Sequence, residues 1–420
     1  MTPTRRDVLR WGGLGTAALV TGCGDNDLVR DPGTQLATAI VEPESDSFLV
    51  AVWAELARDI ALEVQVGDTT VLQTAATLDA ARRATFDVGG LAPGSLYRVR
   101  ALADTGAELV HHVRTAPSPD DTRPVRIAVS ADVDPYPEFD SELVEHVIAA
   151  SPDVFVSIGD FPYTDNGPPA MTLDTYRTRH VEARTSQRVR RLLTQMGLRA
   201  IYDDHEFRND WDAMYRETEA DRYVAAMQAW DEFFPLRRTD IRYRSWRWGA
   251  HVECFLLDTR QFRSANAARD NDAKTMLGET QLAWLLDGVR ASTAPFKLVF
   301  TSVPLDFGDG NDHWSSFTTE RARMFDAFAG VPGVLFVSAD QHWFAAHRHE
   351  RGIREFQVGP ISRGIGTPMR TADGVLFRHR AFNVGLVDID GESLTFSGLG
   401  ADGTVFYKET LTVEDLTPAT

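Results

Sequence analysis

Four short segments of this 420-residue chain share one arrangement: an apolar run stops, and carboxylate or imidazole side chains follow at once. Asp132 and Asp134 follow the run ending at Ser130, and Gly159-Asp160-Phe161-Pro162-Tyr163 follows Ile158. Asp203-Asp204-His205-Glu206 follows Tyr202, and Asp340-Gln341-His342 follows Ala339. A single acid after a strand is usually a helix N-cap. Four such segments, two of them with histidine, are not explained by capping alone. Carboxylates gathered without positive charge would force some to stay protonated, and no lysine-rich segment lies nearby, so cations are the natural partners. Two metal ions bridged by one carboxylate, each with an open position, polarise substrate oxygens and generate hydroxide near neutral pH; that is hydrolytic chemistry. Tyr163 bears on the metal's identity, because a phenol rarely binds Zn2+, Mg2+ or Ca2+, whereas small, highly charged Fe3+ holds phenolate. Asp204 and Asp340 offer oxygen where nitrogen could have stood, which favours Ca2+, Mg2+ or Mn2+ over Zn2+ at a second position.

Elements of two kinds must position these groups. Apolar strands are expected at Val125–Ser130, Val154–Ile158, 198–202, 252–257, 297–301 and 334–337, with helical patterns at 139–150 and 279–290 between some of them. Alternation of this kind predicts an α/β layered domain over 124–412 whose sheet is covered on both faces. In an open α/β sheet the carboxyl ends of the strands face the ligand crevice, so the four segments should converge. Residues 383–411 return to strand and turn, with Asp388-Ile389-Asp390-Gly391 as a hairpin. Upstream, 36–117 alternates as short strands (48–53, 61–66, 97–102) with turns at Val66-Gly67-Asp68 and Pro93-Gly94, which predicts a β-sandwich. Leu91-Ala92-Pro93-Gly94-Ser95-Leu96-Tyr97 resembles the turn-then-tyrosine signature of fibronectin type III modules. Pro117-Ser118-Pro119-Asp120-Asp121 is the expected boundary, and 23–35 reads as a tether.

Composition narrows the class. Hydrophobic residues at 43% and charged residues at 25% are globular chemistry and exclude a disordered, collagenous or polytopic membrane chain. The net charge of −18 repels phosphate backbones, so no nucleic-acid-binding surface is expected. Two cysteines, Cys23 and Cys254, cannot make a disulfide framework. Residues 1–22 read as a twin-arginine signal peptide: Arg5-Arg6 precedes a Gly/Ala/Leu-rich run too short for a permanent span. Val20-Thr21-Gly22-Cys23 looks like a lipobox, so the mature protein is expected outside the cytoplasm, periplasmic or at the cell surface, with a lipid anchor at Cys23. The twin-arginine export machinery and a membrane reached through that lipid are then its expected partners. Gly12-Gly13-Leu14-Gly15 has no strand before it and is set aside as a dinucleotide loop.

In these motifs the sequence resembles the PhoD-like family of alkaline phosphatases and phosphodiesterases, within the calcineurin-like metallophosphatases. Gly159-Asp160-Phe161-Pro162-Tyr163 matches a GDxxY motif shared with purple acid phosphatases. Asp203-Asp204-His205-Glu206 with Asn209-Asp210-Trp211, Leu257-Asp258-Thr259-Arg260 with Phe262-Arg263, and Asp340-Gln341-His342 match further family elements, as do 278–285 and 311–314. The fit covers most of 36–412. The resemblance implies a layered metallophosphatase β-sandwich flanked by helices, of class α/β, preceded by a small all-β fibronectin-III-like domain. It implies Fe3+ on Asp132, Asp160, Tyr163 and His342. Asp160 would bridge to a site completed by Asp204 and Asp340, for one or two Ca2+ ions, with Mg2+ or Mn2+ as alternatives. It implies His205 as proton donor or charge stabiliser, oriented by Glu206, with Asn209 and Arg260 supporting the site or substrate. The expected reaction is hydrolysis of small phosphate monoesters or diesters by a metal-bound hydroxide. Relatives usually carry Ser-Cys-Gln where this chain has Ser130-Ala131-Asp132, and Ala339 replaces a glycine. Val303-Pro304-Leu305 lacks the histidine that purple acid phosphatases place there.

Other residues invite plainer readings. His111 and His112 point to opposite faces of a strand and cannot share a metal. His347 and His349 are expected to be solvated, and Cys254 to be a buried small hydrophobe. Arg260 more naturally fixes a loop through carboxylates than grips phosphate. Tyr243, Trp246 and Trp248, interleaved with Arg242, Arg244 and Arg247, fit an edge strand as well as a stacking platform. His313 is close enough to the loops to touch substrate. Two rival functions stand beside the phosphoesterase: a phospholipase-like phosphodiesterase on the same scaffold, and a non-catalytic, Ca2+-stabilised surface protein.

Overall fold

The computed structural model describes residues 36–135, 141–238, 240–308, 310–367 and 372–420. The signal-peptide and lipobox readings, Cys23 included, fall outside the described residues.

Strands that are apolar along their whole length cannot expose either face, and several here read that way: Val154–Ile158 is VFVSI, Phe296–Phe300 is FKLVF and Val334–Ser338 is VLFVS, each buried throughout. They form the centres of two stacked sheets. In the first, nine strands run in the order Val405–Thr412, Ser393–Gly400, Asn383–Asp390, Val125–Ser130, Val154–Ile158, Gly197–Ile201, Leu36–Val41, Phe48–Ala54, Arg83–Val88. Its central strands, Val125–Ser130, Val154–Ile158 and Gly197–Ile201, are parallel. The second sheet has seven strands, with Val252–Leu256, Phe296–Phe300, Val334–Ser338 and Arg354–Gln357 parallel and adjacent.

Ile127, Val129, Val156, Ile158 and Ile201 of the first sheet face Trp246, Cys254, Leu298, Phe300 and Val337 of the second across one apolar core. Helices Leu173–Thr185, Gln187–Gln195 and Ala220–Phe233 cover the outer face of the first sheet, and Gly278–Ala291 and Thr318–Ala327 that of the second. The architecture is therefore helix, sheet, sheet, helix, as expected for a layered α/β fold. The expected helix at 139–150 is described as Leu143–Ala149. Among the described residues no helix is long and apolar enough to cross a membrane.

The N-terminal strands form a sandwich of their own. A four-stranded sheet (Thr69–Thr77, Asp59–Val66, Leu96–Ala103, Glu108–Arg114) packs Ile60, Leu62, Val64, Tyr97 and Val99 against Leu36, Ile40, Phe48, Val50 and Val52. The Tyr97 hydroxyl accepts the Ala92 N–H at 2.7 Å, which explains the turn-then-tyrosine pattern. The sandwich's other sheet continues into the nine-stranded sheet, because Leu36–Val41 pairs in parallel with Gly197–Ile201. Sequence pattern alone did not foretell that continuity.

Candidate metal centre

The parallel strands end together, and their following loops meet. Ligand atoms of Asp132, Asp160 and His342 lie within 4.8 Å of one another, as do those of Asp160, Asp204 and His205, and of Asp203, Asp204 and Asp340. A further group of the same span joins Asp204 to Asp210 and Asp312. Asp160 and Asp204 thus belong to overlapping groups. Backbone strain accompanies this convergence: Asp132, Asp160, Asp340 and His342 have φ of 60°, 56°, 70° and 60°, a left-handed conformation that non-glycine residues adopt rarely. Gly159 is needed for the same close packing, since a Cβ on it would stand 2.4 Å from the Asp203 Cβ.

The donor set fits cations. Oδ2 of Asp132 and Oδ1 of Asp204 are buried with no hydrogen-bond partner, which is costly for a carboxylate unless something positive meets it. Burial and the neighbouring Asp203 push the Asp132 carboxyl up to about 8. Burial and neighbouring carboxylates also raise Asp160 and Asp340 well above the carboxylate range. Burial lowers His342 to about 4, so its ring is neutral. Its Nδ1–H donates to the Gly364 carbonyl at 2.6 Å, which leaves the Nε2 lone pair 3.5 Å from Asp132 Oδ1 and able to accept the Tyr163 hydroxyl at 3.0 Å. A fixed tautomer with one donating nitrogen is what a metal-binding imidazole needs. Tyr163 is buried, 3.4 Å from Asp132 Oδ1, and burial with the charges of Asp160 and Asp132 raises its phenol well above the ordinary value. An external cation would reverse that.

His205 is half-buried beside these groups, its ring centre 4.3 Å from that of Tyr163. Burial works against its charge, but Asp204, Asp160 and Asp165 together raise it well above the ordinary imidazole value. The residue that orients it is Asp165, whose carboxylate oxygens lie 2.7 and 2.9 Å from Nδ1. This corrects the expectation for Glu206. Glu206 is buried and instead accepts the backbone N–H groups of Phe161 (2.6 Å) and Asp203 (3.0 Å), pinning two of the site's loops together. Asp165 sits two residues beyond the GDxxY motif, a position to which the ligand chemistry did not point.

The supporting residues divide clearly. Arg260 is fully buried and does not reach outward: Nε and Nη2 hold Asp203 at 2.6 and 2.7 Å, and Nη2 holds Asp312 at 2.7 Å. Arg263 meets the other Asp312 oxygen at 2.6 Å. Trp211 donates its indole N–H to the Asp203 carbonyl at 3.1 Å, which accounts for the tryptophan in that motif. Asn209 is exposed, and its backbone N–H donates to Asp165 at 3.3 Å.

Beyond the cluster, His347 and His349 are buried, against the expectation of solvation. Phe307 stacks on both rings, and His349 Nε2 meets the buried Glu355 at 2.7 Å. His313 is buried too, with Nε2 donating to the Gly310 carbonyl at 3.2 Å and Nδ1 bonded to the Ser315 hydroxyl. His111 bridges Thr38 and the Leu193 carbonyl. Cys254 is buried, and Trp246 and Trp248 lie in the core on the edge strand Arg244–Trp248.

Comparison with known proteins gives a consistent result. Residues 134–385 match the model of the family described as PhoD-like phosphatase. Alkaline phosphatase D of Bacillus subtilis (strain 168) is 25% identical over 307 residues, which are 61% of this chain and 52% of that protein, so the match spans about half the relative's length. A solved structure of PhoD superposes with a TM-score of 0.79 at 18% identity, covering 93% of this chain and 90% of that one. The purple acid phosphatase PPD1 from yellow lupin (Lupinus luteus) superposes at 0.64 with 12% identity, covering 91% and 75%. At such identities the superpositions speak for the fold.

Proposed function

Because the chain belongs to the PhoD-like phosphatase family, we propose that it is an exported, metal-dependent phosphoric ester hydrolase acting on small phosphate monoesters or diesters. The observation that carries the reading is a convergence of buried carboxylates, of which Asp132, Asp160 and Asp340 pair with no arginine or lysine among the described residues, beside a histidine held by its own carboxylate. Asp132, Asp160, Tyr163 and His342 would hold Fe3+, and Asp160, Asp204 and Asp340 would hold Ca2+, with Mg2+ or Mn2+ able to take that second place. The chemistry such cations bring is Lewis acidity toward a phosphoryl oxygen and a supply of nucleophilic water near neutral pH.

The chain's own residues do the rest. Asp165 fixes the His205 ring through Nδ1, so a proton on Nε2 is available to a leaving oxygen. Asp204 and Asp160 keep that ring protonated, as a general acid requires. Glu206 and Trp211 hold the loops that carry Asp160, Asp203 and His205. Arg260 and Arg263 neutralise Asp203 and Asp312 without entering the ligand set. Arg5-Arg6 and Gly22-Cys23 support export by the twin-arginine route and a lipid anchor at Cys23.

The test is to load the full chain with iron and calcium and assay an aryl phosphate monoester against the matching diester. Activity on either, abolished by chelation and restored by both metals, is the expected result. The substrate that is turned over faster separates phosphatase from phosphodiesterase. His205→Ala should reduce kcat by about 10²–10⁴ with metal still bound, if it serves as the acid. A fully loaded protein inert toward both esters would favour the non-catalytic surface protein instead.

A further inference from the structure

Residues 359–366 supply none of the candidate ligands, yet they contact the elements that do. Gly359, at φ +88°, backs directly onto Asp132, and a Cβ there would stand 2.4 Å from Oδ2. The Asn383 side chain fixes that glycine from both sides, accepting its N–H at 3.0 Å and donating to its carbonyl at 2.5 Å. The Ile361 and Ser362 N–H groups then donate to the carbonyls of Ala131 (3.0 Å) and Asp132 (3.3 Å). Ser362 Oγ accepts the Asp134 N–H and donates to the Asp134 carbonyl, both at 2.9 Å. Gly364 accepts from His342 Nδ1, and the Gly366 N–H donates to the His342 carbonyl at 2.9 Å. The segment is a strap laced to the Asp132 loop at one end and to His342 at the other.

Arg363 stands between these two attachments. Its Nη1 lies 2.5 Å from Asp134 Oδ2, which Asn166 of the Tyr163 loop also contacts. Its guanidinium carbon lies 4.4 Å from the centre of the Tyr163 ring, well inside the ~6 Å range over which a cation is attracted to an aromatic face. Always protonated, arginine can hold a ring without competing for the metal.

We propose that Arg363 is a positioning residue for Tyr163: anchored on Asp134, it clamps the phenol ring in its ligand pose and sets the electronic character of the phenolate. The clamp rests on the reading that Tyr163 binds Fe3+. A positive charge over the ring stabilises the phenolate electrons more than the more distant iron orbitals. It therefore raises the energy of the phenolate-to-iron charge transfer, as partners outside the ligand shell commonly tune a metal site.

The test uses the full chain loaded with Fe3+ and Ca2+, and Tyr163→Phe, which must bleach the visible band, identifies the signal. Arg363→Met should move the band to longer wavelength and speed iron loss to a competing chelator by about tenfold. Arg363→Lys, which keeps the charge, should return the band most of the way. An Arg363→Met protein with the parent's band and rate would overturn the proposal, as would Met and Lys variants that behave alike. If the parent itself shows no band, the iron reading fails. The clamp is then judged by amide hydrogen exchange at 132–134, 163 and 359–366, which Arg363→Met must accelerate for the proposal to stand.

Discussion

Glu42 lies buried where the N-terminal sandwich meets the strands Gly197–Ile201 and Arg244–Trp248, and two arginines meet it there. Arg199 Nη1 stands 2.7 Å from Oε2 and Arg244 Nη2 stands 2.5 Å from Oε1. Asp132, equally buried, has for neighbours a phenol, an imidazole and other carboxylates; among the described residues no arginine or lysine pairs with it. The consequences are opposite. Burial alone would raise Glu42, but the arginines prevail and hold it below the ordinary carboxylate value. Burial and the neighbouring Asp203 raise Asp132, and His205 and the Tyr163 hydroxyl offset them only in part. The same division runs through the centre itself, where Arg260 and Arg263 pair with Asp203 and Asp312, while among the described residues Asp160 and Asp340 pair with no arginine or lysine and burial raises them. Where a carboxylate holds the fold together the chain provides its cation, and where chemistry is expected the cation must come from outside.

The largest effect should come from removing the carboxylate shared by two of the groups. Asp160→Ala is expected to drop turnover below detection and to lower bound metal, measured by ester assay and elemental analysis. In the metal-free chain the same change should leave the melting temperature equal or higher, because it removes a buried carboxylate whose burial outweighs the one cation beside it, His205. A metal-free variant that melts well below its parent would show Asp160 to be structural, and the contrast with Glu42 would break.

Glu42→Gln should do the reverse. Removing one member of a buried ion cluster leaves Arg199 and Arg244 facing each other, a loss of about 3–5 kcal/mol. Denaturant unfolding reads that loss directly, while kcat per folded molecule should stay at the parent's value. A drop in kcat without a drop in stability would mean that the seam between sandwich and catalytic layers reaches the site.

Much of this contrast was legible in the sequence, and what was missed has a common cause. Apolar runs ending in Asp or His marked the loops of Asp132, Asp160, Asp204 and Asp340, because a parallel sheet puts successive strand ends on one edge. Arg260 was expected to fix a loop, and it does so through two carboxylates. Partners chosen by tertiary approach were hidden. Asp165, not the adjacent Glu206, holds His205, because the chain turns after Tyr163 and brings Asp165 under the ring. Arg363 reaches Tyr163 across 200 positions of chain, and nothing local in its segment signals that. His347 and His349 alternate with the charged Arg348 and Glu350, a pattern that fits exposure; Phe307 and Glu355 bury them. Glu42 drew no reading from the sequence, and its role follows from the parallel pairing of Leu36–Val41 with Gly197–Ile201.

The smallest effect, and the one that tests the contrast without changing a residue, is the pH dependence of stability in the metal-free chain. Asp132 binds its proton up to about 8 in the folded state and only to about 4 when unfolded. Between those values the folded chain keeps a proton on Asp132 that the unfolded one has lost, so this group makes stability fall as pH rises across that window, by up to about 1.4 kcal/mol per pH unit. Glu42 has the opposite sign: its folded value is depressed, so its contribution is present above about pH 4 and is lost only as pH falls further. Buried His111, His342 and His347, lowered to about 4, have the opposite sign below about pH 6.5, so calorimetry of the metal-free protein from about pH 6.5 to about pH 8 should show the falling melting temperature. Adding iron and calcium supplies the missing positive charge, so the carboxylates ionise in the folded state and the decline should disappear or reverse. A metal-free protein that instead grows steadily more stable toward pH 8 would mean that Asp132 and its neighbours already have a counterion, and the division between the two kinds of buried carboxylate would be lost.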